Sequence, residues 1–192
     1  MLYSLWRLAA GLLAAIAAGL PIGILMGAVP RADAGLSGIF YIGGPLPKAA
    51  LLPILLLFFG VGGLSKIVLV FLITFFPLVL AVRDGVKSLS PGLLDPYKTA
   101  GAGWSAIFWN IWLPASLPGL FTVLRNGLSA GVSILFLAET YGTRYGMGFF
   151  IMDRWVRLDY GEMLGGIILM GLLGFMLTKG LDMVERKICT WK

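Results

Sequence analysis

Apolar residues fill this chain in blocks long enough to cross a bilayer, and the polar residues gather between them. The blocks predict spans at about residues 5–29, 49–62, 65–82, 115–138 and 161–180. The interval 30–48, with Gly43, Gly44, Pro45 and Pro47, is expected to be a loop. Gly60, Gly62 and Gly63 predict a tight turn between the second and third spans, both shorter than a straight crossing needs. In the first span Gly11, Ala15, Gly19, Gly23 and Gly27 stand four apart. Such a stripe of small residues lets another helix approach closely, and packing inside the protomer is preferred over a dimer seam. Pro21 is expected to kink this helix.

Two long polar intervals break the pattern. In the first, Trp104, Phe108 and Trp112 recur at i, i+4 and i+8, with Trp109 beside them. They predict a helix lying at the headgroup level, closed by Leu113 and Pro114 before the fourth span begins. The second interval, 139–162, contains MGFFIMDRWV, expected to form a short interfacial helix. One charge, Arg125, falls inside a span, where a cation is costly unless it reaches the interface or a wet or paired environment. Snorkelling and a pathway role carry equal weight for it. Residues 181–192 read as a charged tail.

Composition narrows the class. With 59% hydrophobic and 12% charged residues, the chain reads as an all-α integral membrane protein, one transmembrane domain over 1–192 with no soluble domain. The run from Leu8 to Pro30 is too long for a signal-peptide core and reads as a retained helix. The absence of histidine and the single cysteine, Cys189, exclude Ser-His-Asp and Cys-His catalysis and His-rich metal sites. No catalytic residue and no metal ligand is assigned. The glycine-rich GVGGLSK lacks phosphate-loop spacing, so any nucleotide belongs to another chain. The net charge of +6 is scattered around the spans and reads as membrane topology, not nucleic-acid binding. A cytoplasmic C-terminus places Arg31, Lys48, Arg83, Lys87, Lys98, Lys179, Arg186, Lys187 and Lys192 inside, nine cations against five outside. That bias predicts an external N-terminus and a cytoplasmic first polar interval.

Gly101, nine further residues and then Ile111-Trp112-Leu113-Pro114 resemble the G-(x9)-I-x-L-P portion of the EAA loop, the signature of ABC importer permeases. LPASLPGLFTVLRNGLSAGVSILFLAET, GGPLPKAALLPILLLFFGVG and LDMVERKICTW resemble the branch serving nitrate, sulfonate, taurine, bicarbonate and thiamine-precursor uptake. The resemblance implies a type I ABC importer permease fold of about five transmembrane helices, where members of this branch usually carry one more N-terminal span. It implies a cytoplasmic EAA loop at about 90–114, two short helices joined by an elbow at Gly101, with 96–100 docking on an ATPase. The implied coupling residues are Asp95, Pro96, Tyr97, Lys98, Ala100, Gly101, Ala102, Gly103, Leu113 and Pro114. Asp95-Pro96-Tyr97 stands where the family has Glu-Ala-Ala, so the first helix starts either at Pro96, capped by Asp95, or at Pro91, capped by Ser90.

The same resemblance implies a homodimer in a bacterial-type cytoplasmic (inner) membrane. Its partners are two cytoplasmic ABC ATPase subunits, which hold ATP and Mg, an extracytoplasmic solute-binding protein delivering a small anionic or heterocyclic solute to 139–162, and the lipid bilayer. Arg125, Ser129, Ser133 and Glu139 are candidates for the translocation pathway, lined by the third to fifth spans. Three other readings stay open, one of them a permease that exports or moves lipid, which would show a lateral opening and not a central cavity. A membrane-embedded hydrolase would need a Ser/Lys or Asp/Asp arrangement, and no carboxylate pair sits in any span. An ATP-independent channel or scaffold would pass solute with no ATPase attached.

Overall fold

The structure is a computed structural model that describes residues 1–190, the side chains of Pro91 and Lys98 excepted. Trp191 and Lys192, and the side chain of Lys98, all named above, lie outside the described residues. Nine α-helices are described: α1 (Leu2–Ala28), α2 (Pro30–Gly43), α3 (Leu52–Phe59), α4 (Gly63–Lys87), α5 (Pro91–Thr99), α6 (Trp104–Ile107), α7 (Leu113–Glu139), α8 (Met147–Val156) and α9 (Tyr160–Ile188). A 3₁₀ turn, Lys48–Leu51, leads into α3, and a π turn, Phe108–Trp112, joins α6 to α7. Four stretches are long and apolar enough to cross a membrane: Leu2–Ala28, Gly63–Lys87, Trp104–Glu139 and Tyr160–Ile188. A fifth crossing is broken. Pro30–Gly43 and Lys48–Phe59 meet at 84° and form one bent span or a re-entrant pair.

The centre of the bundle is α4, with α1 on one side and α7 on the other. The small-residue stripe of α1 explains the first contact. A Cβ on Gly11 would lie 2.7 Å from Val70 Cβ, one on Gly23 2.7 Å from Val82 Cβ, and one on Gly27 2.6 Å from Val86 Cβ. The stripe therefore packs within the protomer, where close backbone approach replaces the hydrophobic effect as the source of helix association. The α4–α7 contact uses the same device at Gly85, against Ala115, and at Gly119, against Ala81.

Several expected boundaries shift. The interval 30–48 is not a loop: Pro30 stands at the start of α2, a position where its missing N–H costs nothing. The third span is longer than expected and continues through Pro77 to Lys87. The fifth continues to Ile188, so most of the expected charged tail is helix. MGFFIMDRWV forms α8 as predicted, wedged between α7 and α9 through Met147, Ile151 and Met170.

The ends of the bundle can be matched from packing. Ile107, Ile111 and Trp112 share one buried cluster with Ile24, Val86 and Cys189. The first polar interval therefore lies at the same end as the close of α1, of α4 and of α9.

Candidate functional site

At that end the chain makes a hook. Its first arm, α5, begins at Pro91, the second of the two starts left open by the sequence, with the Leu93 N–H donating to Ser90 O at 3.0 Å. Pro96 is inside the helix and cannot donate to Gly92, a loss that solvent can make good because Gly92 and Pro96 are exposed. Thr99 Oγ1 adds a local tie, donating to Asp95 O at 2.9 Å. Leu94 packs on the bundle, whereas Leu93, Asp95 and Tyr97 are exposed. A nine-residue helix with so little packing is marginal alone.

The elbow follows from one residue. The Ala100 N–H bonds Pro96 O at 3.0 Å and the Ala102 N–H bonds Tyr97 O at 2.9 Å, closing α5 with Gly101 in the left-handed region at φ 71°. Among the described residues no heavy atom lies within 4 Å of a Cβ placed there, so the requirement for glycine is conformational. Beside the elbow is a cavity of about 360 Å³ bordered by Leu94, Ala102, Trp104 and Trp112.

The second arm differs from its expected form. Leu113 and Pro114 do not close it. The helix continues from Trp104 to Glu139, 36 residues, with the π turn just ahead of Pro114. There the Leu113 N–H reaches back five residues to Phe108 O, and the extra residue in the turn absorbs the register that proline would otherwise break. The aromatic face is split by this turn. Trp104 is 65% exposed, but Trp112 is only 9% exposed and joins the core, with their rings edge-to-face at 5.1 Å. Trp109 stays outward and Phe108 lies edge-to-face against it at 5.1 Å. The arm is half anchored in protein, not laid flat on lipid.

The four pathway candidates do not converge. Ser129 and Ser133 are exposed on one face of α7 and donate back to Arg125 O and Ser129 O, at 3.4 and 3.2 Å. Arg125 bridges to α9, with Nη2 at 2.8 Å from Asp182 Oδ1 and 2.5 Å from Glu185 Oε2. This pairing offsets the cost of a cation in the span. Glu139 lies at the far end of α7, fully buried, with Arg7 Nη1 at 2.6 Å. The sequence singled out Arg125 and Glu139 but not their partners. Asp182 and Glu185, one helical turn apart, were the available signal for Arg125. A cavity of about 650 Å³ opens at the α2–α3 bend beside Tyr41, Lys48, Pro77 and Ile134. Lys48 Nζ is turned to the carbonyls of Gly43 and Gly44, where α2 ends, and so serves as a C-terminal cap. Among the described residues no group of three or more His, Cys, Asp or Glu side chains is placed to hold a metal ion.

The family described as binding-protein-dependent transport system inner membrane component matches residues 19–188. The chain belongs to that family. This permease is 34% identical over 188 residues to the taurine transport system permease protein TauC of Escherichia coli, covering 98% of this chain and 68% of TauC. It is 29% identical over 189 residues to a putative aliphatic sulfonates transport permease protein, SsuC, of Bacillus subtilis, covering 98% of this chain and 68% of SsuC. In fold the permease matches a solved chain of the inward-facing MetNI methionine ABC transporter with a TM-score of 0.78 at 19% identity, covering 97% of this chain and 93% of that one. The type I importer fold and the membrane transport role expected from the sequence are therefore met. The permease is a multi-pass inner-membrane subunit of a binding-protein-dependent importer.

Proposed function

We propose that two copies of this permease enclose a pathway for a small anionic or heterocyclic solute, of which a sulfonate is favoured, and that each copy seats one cytoplasmic ATPase on α5. The observation that carries this reading is the hook: a short, solvent-facing helix tied to a 36-residue transmembrane helix through one left-handed glycine. Its exposed Asp95 and Tyr97 are the contacts offered to the ATPase, with Pro96 fixing the arm between them. Gly101 to Gly103 turn the chain, and Leu113 and Pro114 pass the movement into α7. ATP and Mg belong to the partner; this chain's part is to change the relative stability of two arrangements of its spans. The excess of cations in the segments at the hook end supports placing that end, and the C-terminus, in the cytoplasm. Ser129 and Ser133, exposed on one face of α7, are the pathway groups; Arg125 and Glu139 hold helices together at its two ends. The substrate class rests on the names of the sulfonate-type relatives.

Gly101→Val tests the hook. Valine at φ 71° is strained by its branched Cβ, so the elbow opens and α5 loses its seat. Uptake into vesicles and co-purification of the ATPase should both fall by about tenfold or more, the loss expected for more than 1.4 kcal/mol of coupling. Both at wild-type levels would overturn the assignment. Solute flux without any bound ATPase would point to a channel instead.

A further inference from the structure

At the end of the bundle opposite the hook, polar groups from four separate parts of the chain meet with almost no exposure. Glu139, the last residue of α7, is 0% exposed. Arg7 Nη1 donates to its Oε1 at 2.6 Å and to Tyr145 O at 2.9 Å. Ser4 Oγ donates to Glu139 Oε2 at 2.9 Å and accepts from the Met147 N–H at 2.8 Å. The Gly148 N–H donates to the same Oε2 at 2.9 Å. Lys66, also 0% exposed, holds the adjoining turns by donating to Val61 O at 2.7 Å and Tyr141 O at 3.3 Å.

Met147 and Gly148 are the first two residues of α8, whose own N-cap, Gly146, has no side chain to offer. The first N–H groups of a helix need acceptors, and here α1 and α7 supply them from 143 and 9 residues away. The local sequence is shaped to this arrangement. A Cβ on Gly148 would come 2.8 Å from Glu139 Cβ, and one on Gly146 would collide with the carboxylate, while Gly146 itself sits at φ 141°. A fully buried carboxylate is expensive unless its charge and lone pairs are met. Each partner of Glu139 stands on an element other than α7, so satisfying it requires α1, α7 and α8 to stay together.

We propose that Glu139 is the positioning residue of the outer face. With Ser4 it caps α8 in trans, and with Arg7 it locks α8 to α1 and α7 in the resting arrangement. A soluble protein docking outside acts by releasing this lock. The proposal rests on the importer reading above and adds to it where the outer signal enters the spans. Tyr141, Tyr145, Trp155 and Val156 are exposed on the surface this lock holds in place.

The test uses the full chain with its ATPase in lipid nanodiscs and two variants. The paired variant Arg7→Gln with Glu139→Gln removes both charges together, so neither is left buried alone. Ser4→Ala leaves the ion pair intact and removes the acceptor for Met147 together with one hydrogen bond to Glu139. Two quantities are read: amide hydrogen exchange at residues 147–150, and ATP hydrolysis with no solute or binding protein present. Ser4→Ala is expected to exchange faster by roughly tenfold at 147, the loss of a helix cap, and the paired variant to exchange faster at 148, where a neutral amide replaces the carboxylate acceptor. Unstimulated hydrolysis in the paired variant should rise at least about fivefold, the low end of ordinary coupling between sites. Exchange unchanged in both variants overturns the cap, and unchanged hydrolysis in the paired variant overturns the lock. A failure of the importer reading looks different, because the wild-type chain then holds no ATPase at all.

Discussion

Thr74 shows how a single buried side chain can be out of step with its surroundings. It sits fully buried on α4, its Cγ2 and Oγ1 each 3.1 Å from where a Cβ on Gly127 of α7 would stand. Its Oγ1 has no hydrogen-bond partner, although a hydroxyl in a span usually back-bonds its own helix, as Ser129 and Ser133 do. An unpartnered buried hydroxyl costs about 1–3 kcal/mol. Thr74→Val keeps the shape and removes the polar atom, so the thermal midpoint in detergent should hold or rise. A fall of several degrees would show that the hydroxyl has a partner after all. Nothing in the sequence marks this position, because an apolar helix tolerates threonine and the partner is decided by a neighbour more than fifty residues away.

Among the elements, the π turn settles how the hook meets the span. Removing Asn110 would convert Phe108–Trp112 to ordinary α-helix and rotate everything before it by about 100° relative to α7. Trp104 would then leave Trp112, and α5 would face a new direction. The variant is expected to reach the membrane in normal amounts while uptake falls to background; uptake near wild type would show that the hook's orientation is unimportant. Helical spacing correctly placed Trp104 and Trp112 on one face, since their rings do meet, but it could not reveal the extra residue that sends Trp112 into the core. The same limit hid α2. Its local pattern is weak, and Asp33 is satisfied by Arg83 and Lys87 of α4, partners at a sequence distance no window covers. Pro30, at a helix's favoured first position, was the readable sign. The small-residue stripe of α1 was legible, because spacing alone defines it, and Val70, Leu78, Val82 and Val86 of α4 answer its glycines.

For the molecule as a whole, α9 is the outlier. Only 11% of its apolar window is buried, against 44% for the α4 window, although both span lengths are similar. Gly165, Gly171 and Gly180 have no heavy atom within 4 Å of where a Cβ would stand, so α9 carries small residues with nothing packed on them. A second copy supplies the missing surface in the dimer proposed above. Light scattering on the detergent-purified permease should give a protein mass about twice the 20.6 kDa of one chain. A mass of one chain at every concentration would remove the two-fold pathway.

The 36-residue helix that begins at Trp104 ends at Glu139, so one rod about 54 Å long runs from the hook to the lock. That is well beyond the roughly 30 Å of hydrocarbon it crosses. Movement proposed for the hook is carried toward the lock along this one helix, softened where the π turn and Pro118 interrupt its hydrogen bonding. In the importer proposed above, the inner and outer mouths are geared together through it: neither can swing without telling the other.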